Sequence, residues 1–120
     1  MDAVQTAGKM TEALETLERA RGHLLSFHQL VGSADLQLDD VVAGLRDAGH
    51  DELAQRVQRE LLGRNVIPDR WTFQIVEEFD DGYWSVFRAY EEAVRNALTD
   101  GRRHMYEADM KERRRTPRAG

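Results

Sequence analysis

An unbroken apolar seam constrains this chain more than any other feature. Ala13, Leu17, Ala20, Leu24, Phe27 and Val31 follow at intervals of 4, 3, 4, 3 and 4 residues. That spacing lines them along one side of an α-helix, and no strand register would bury them together. Met10, Leu14 and Leu30 widen the stripe, and Glu12, Glu15 and Glu18 occupy the first turns, where carboxylates favour the positive helix end. With Thr11 as N-cap and Gly32 as the stop, the pattern predicts a long first helix over 11–31.

The same logic extends along the chain. Ser33 or Asp35 caps a second helix carrying Leu38, Val41, Val42, Leu45 and Ala48, which Gly49 ends. Asp51 opens a shorter helix with Leu53, Ala54, Val57, Leu61 and Leu62 inward, stopped by Gly63. Asn65 and Pro68 mark a turn. Residues 71–79 carry two patterns. Trp71, Phe73 and Ile75 alternate as in a strand, while Trp71, Ile75 and Phe79 have helical spacing. A lone strand has no partner for its backbone, so helix is the reading, starting near Pro68-Asp69. Asp80-Asp81-Gly82 reads as a turn or kink. Tyr83, Phe87, Tyr90, Val94, Ala97 and Leu98 then form another helix, packed against the first, and a last one covers 102–113. The expected fold is all-α, a small helical bundle of four to six helices in one domain over 1–113, with a disordered basic tail at 114–120.

Charge and composition narrow the function. Residues 1–100 hold 10 Lys+Arg against 19 Asp+Glu, a net of −9, and residues 101–120 hold 7 against 3, a net of +4. An acidic body of this kind repels nucleic acid, whose binding rests on phosphate neutralisation. A DNA-binding regulator reading through Gln55, Arg56, Gln58 and Arg59 therefore stands third. The chain has no cysteine, which removes thiolate metal sites and cysteine nucleophiles. No apolar run approaches the roughly 18–20 residues of a membrane span, so the expectation is a cytoplasmic protein.

Function is sought in residues 71–90, which hold seven of the nine aromatic side chains. Trp71, Phe73, Phe79, Tyr83, Trp84 and Tyr90 form the candidate binding surface. Tyr83 and Trp84 lie about 100° apart on a helix, so one of them faces outward. Glu77, Glu78, Asp80 and Asp81 stand among these rings, with Glu91 and Glu92 on the next helix. Carboxylates three residues apart share a helix face, and two such pairs hold a divalent metal through oxygens. Glu77-x-x-Asp80 resembles the all-helical nucleotide pyrophosphohydrolases. That resemblance implies magnesium or manganese on Glu77, Asp80, Asp81 and Glu91 and hydrolysis of a phosphorylated small molecule. The chain departs from the pattern at Val94 and Arg95, which stand where a second pair needs a carboxylate, and Lys9 and Lys111 are its only lysines. His104 and Glu107 carry the Glu-x-x-His spacing of ferritin-like di-iron proteins in reverse order.

The residues together point first to a non-enzymatic helical interaction or small-ligand-binding module with no cofactor, working through 71–90. The metal-dependent hydrolase is the alternative. The first helix carries more seam than one small partner helix covers, so a homodimer is predicted, with a two-fold contact as the usual solution.

Overall fold

The structure, a computed structural model, describes residues 1–100 and 104–116, without the side chains of Met105 and Tyr106. The fold is all-α: among the described residues there is no strand, and the helices are α1 (Ala3–Asp47), α2 (Asp51–Glu60), α3 (Thr72–Phe79), α4 (Ser85–Thr99) and α5 (Met105–Arg113), with a π-helical turn Asp80–Trp84 joining α3 to α4. No helix among the described residues is long and apolar enough to cross a membrane.

Several sequence expectations are corrected. Helix α1 is 45 residues long and runs through Gly32, merging two helices expected to be separate. A glycine inside a helix costs only about 1 kcal/mol relative to alanine, whereas a stop there would break the tertiary anchors made by His28 and Asp35. The seam explains the continuity as well. Beyond Val31 it proceeds through Ala34, Leu38, Val41, Leu45 and Ala48 with the same alternation of three and four. Thr11 is not the N-cap. Asp2 takes that role: its Oδ1 accepts the Gln5 N–H at 2.8 Å while Gln5 Oε1 accepts the Asp2 N–H at 3.0 Å, a reciprocal capping box. Neither Ser33 nor Asp35 caps a helix, since both lie inside α1.

Pro68-Asp69 starts no helix either. Asp69 sits at φ 65°, and the Arg70 N–H bonds the Ile67 carbonyl at 3.0 Å, closing a tight turn. Helix α3 begins after Trp71, whose N–H is taken by Gln74 Oε1 at 2.8 Å. Asp80-Asp81-Gly82 is π-helical rather than a turn. Asp100, at φ 54°, ends α4, and α5 is described from Met105, the expectation for 102 and 103 lying outside the described residues. The expectations for Gly101 and for residues 117–120 of the tail lie outside the described residues. Gly49 and Gly63 do hold the left-handed conformations their stop roles require, at φ 83° and 70°.

The chain divides into two compact units, Met1–Ala20 with Asp81–Gly120, and Arg21–Asp80. In the first, the N-terminal part of α1 runs antiparallel to α4. Thr11 donates to Glu91 at 3.2 Å, and Trp84 Nε1 donates to Glu18 at 3.2 Å. In the second, the rest of α1 meets α2 in a hairpin turned by Gly49, with Val42 and Ala54 buried. Arg21 grips Asp80 there, and His28 bonds Thr72. Among the described residues the buried apolar ones are Ala7, Val42 and Ala54, and no large side chain is fully buried.

Candidate binding groove

The aromatic segment divides between the units. In the Arg21–Asp80 unit, Trp71 and Phe73 meet edge to face with ring centroids 6.4 Å apart. Both are exposed, at 47% and 44%. They line a groove of about 720 Å³ together with Val31, Gly32, Ala34 and Leu38 of α1 and with Leu61 and Val66. Small residues on α1 leave the space, and large ones supply the apolar lining.

The Trp71 ring is fixed through one residue. The Gly63 N–H is accepted by Asp35 Oδ1 at 2.7 Å, and the Gly63 carbonyl accepts the Trp71 indole N–H at 3.0 Å. Both polar groups of that glycine are thereby satisfied, and its positive φ presents them in opposite directions. His28, also in the lining, shares a hydrogen bond through Nδ1 with the buried Thr72 hydroxyl. Among the described residues His28 Nε2 has no hydrogen-bond partner, so it offers a donor or acceptor according to tautomer. A groove with mostly apolar lining and a few polar residues, His28, Asp35, Arg64, Asn65 and Thr72, has the chemistry of a small-ligand site.

The remaining rings lie in the other unit. Trp84 turns toward α1 and lies beneath the Arg88 guanidinium, 4.7 Å from its ring centroid, a cation–π contact. Tyr83 points outward, 60% exposed, with its ring 5.9 Å from Phe87. Tyr90 is 65% exposed. Phe79 is half-buried in the Arg21–Asp80 unit. Thus Trp71 and Phe73 are brought together in the Arg21–Asp80 unit, while Tyr83, Trp84 and Tyr90 belong to the other. His28, Asp35, Gly63 and Thr72 were missed at the sequence level. The available signal was that His28 lies next to the seam of the first helix, between Leu24 and Val31.

The carboxylates are engaged elsewhere. Asp80 receives Arg21 Nε at 2.7 Å and Nη2 at 2.9 Å. This hydrogen-bonded guanidinium holds the Asp80 carboxyl below its ordinary range, against the opposing effect of burial. Glu91 is paired with Arg95 and Thr11, and the Glu91 hydrogen bond raises the Arg95 guanidinium above its ordinary value. Glu77 and Asp81 are exposed. Among the described residues no three His, Asp or Glu side chains are grouped to hold a metal. His104 and Glu107 approach to 3.8 Å. On α2, Gln58 accepts a bond from Arg46 at 2.7 Å.

Two outcomes follow for Asp80. Millimolar magnesium or manganese leaves the melting temperature unchanged, and a rise of several degrees would restore the metal reading. Because the folded-state pKa is depressed, the Arg21–Asp80 contribution is present above the ordinary aspartate range and fades as pH falls through the lowered value. Arg21→Met therefore destabilises at neutral pH and converges with the wild type in acid. Parallel stability–pH curves would contradict this.

Comparison with known protein families, curated proteins and solved structures finds no match to this chain.

Proposed function

We propose that this chain is a non-enzymatic helical binding module that works as a homodimer and takes a small, largely apolar ligand into the groove of the Arg21–Asp80 unit. The observation that carries this reading is the open, Trp71- and Phe73-lined groove with His28 in its lining, whose Nε2 has no hydrogen-bond partner among the described residues. Burying rings of this size contributes strongly to binding, because apolar transfer scales with the area removed from water. The ligand class that fits is a planar apolar body bearing one hydrogen-bonding group.

Calorimetric titration with naphthol, a bicyclic probe with one hydroxyl, tests it. Saturable binding of one naphthol per chain is expected. Trp71→Ala is expected to weaken it about tenfold, equivalent to about 1.4 kcal/mol. Gly32→Phe should abolish it, because a Cβ at Gly32 meets nothing within 4 Å and the ring would fill the groove without straining α1. Equal affinity in Gly32→Phe and wild type, or no saturable heat in the wild type, overturns the ligand reading.

A further inference from the structure

The polar capacity left unused in the groove of the Arg21–Asp80 unit is mostly of one kind, hydrogen-bond donors. Arg64 is in the lining. Its Nη1 donates to the Glu60 carbonyl at 3.1 Å, which leaves four of its five N–H groups without a partner among the described residues. Arg21, Arg70 and Arg95 each hold a carboxylate, but among the described residues none pairs with Arg64. Asn65 stands next to it in the lining, and its side-chain amide makes no hydrogen bond among the described residues. Asp35, the acid of that lining, is half-buried, and its Oδ1 already accepts the Gly63 N–H at 2.7 Å.

Position adds to this inventory. Arg64 and Asn65 directly follow Gly63, whose carbonyl accepts the Trp71 indole N–H at 3.0 Å. The backbone that anchors the ring therefore runs straight on into the guanidinium and the amide. All of them line the same groove.

We infer that the ligand of this groove is an apolar acid, an aromatic carboxylate whose ring packs on Trp71 and Phe73 and whose head is taken by Arg64 and Asn65. The inference rests on the small-ligand reading above and adds to it the charge of the head group. A guanidinium is a planar fork that meets both oxygens of a carboxylate at once, and the Asn65 amide supplies a further donor. An alcohol fills fewer of these donors and brings no charge to Arg64. An ammonium head meets donors with donors and the like charge of Arg64, while Asp35 Oδ1 is already taken.

Calorimetric titration at neutral pH compares probes that share one ring system: naphthoate, naphthol and naphthylmethylammonium. In the wild type naphthoate is expected to bind about tenfold tighter than naphthol, with the ammonium the weakest. Arg64→Gln should erase the difference between naphthoate and naphthol. Arg64→Lys keeps the charge without the fork and should retain a preference of about threefold. Should the glutamine variant fail to fold, the lysine variant and the wild-type series still decide. Naphthoate no tighter than naphthol, the ammonium the tightest, or an undiminished preference in Arg64→Gln overturns the acid and leaves the groove reading standing. If no probe gives saturable heat with the wild type, both readings fall.

Discussion

Glu91→Ala is expected to cost about 2–3 kcal/mol of unfolding free energy at neutral pH, the largest single loss this structure implies. Glu91 is 6% exposed. Its Oε1 takes Arg95 Nε at 2.9 Å and Thr11 Oγ1 at 3.2 Å, and its Oε2 takes Arg95 Nη2 at 3.2 Å. Removing the carboxylate takes the nearest opposite charge from a guanidinium 12% exposed, leaving the weaker pull of Glu92. It also withdraws the acceptor that ties α1 to α4 at Thr11. Stranding one partner of a buried pair typically costs about 3–5 kcal/mol. The figure here is lower because the pair borders an open groove beside Glu15, Glu18 and Glu92 that admits water. Glu91→Gln keeps an acceptor for Thr11 and should fall about midway. Urea denaturation at fixed protein concentration measures both, and a loss under about 0.5 kcal/mol would show that the pair contributes little.

The opposite sign is expected when Gly22, Gly32 and Gly44 are all changed to alanine. Each lies inside α1, and a Cβ built at each meets nothing within 4 Å. Glycine in a helix interior is less favourable than alanine by about 0.8–1.0 kcal/mol, mainly because the unfolded chain has more freedom to lose. The triple variant should therefore be stabilised by about 2–3 kcal/mol, and additively, since the three sites share no partner. Gly49 and Gly63 provide the contrast. At φ 83° and 70°, alanine at either should destabilise by about 1–2 kcal/mol. A triple variant no more stable than wild type would show that α1 does not persist through these glycines in solution.

How far the sequence spoke depends on the kind of signal. Helical class was legible because the 4-3 seam has one geometric solution, and Gly49 and Gly63 because their stops coincide with real changes of chain direction. Gly32 misled, since a glycine permits a stop without requiring one, and the seam on both sides of it overrode the signal. The Asp2–Gln5 box was present as a D-x-x-Q spacing but lay upstream of the seam. Within the groove, Trp71 and Phe73 were singled out by ring density alone. Asp35 and Thr72 could not be found that way. Their roles arise from contacts 28 and 44 residues distant in the chain, and no local pattern carries such information. The acids illustrate the same point in reverse: Glu77-x-x-Asp80 is a sound local spacing, but Arg21, 59 residues away, decides what Asp80 does.

The near absence of deeply enclosed apolar side chains has a calorimetric consequence. Heat-capacity change on denaturation tracks newly wetted nonpolar area, and Ala7, Val42 and Ala54 are small. An isolated chain should therefore show a step below the roughly 12–15 cal/mol/K per residue of ordinary domains, with a broad melt and a shallow temperature optimum. Any excess over that low baseline, growing as protein is concentrated, would report the nonpolar area that association hides from water.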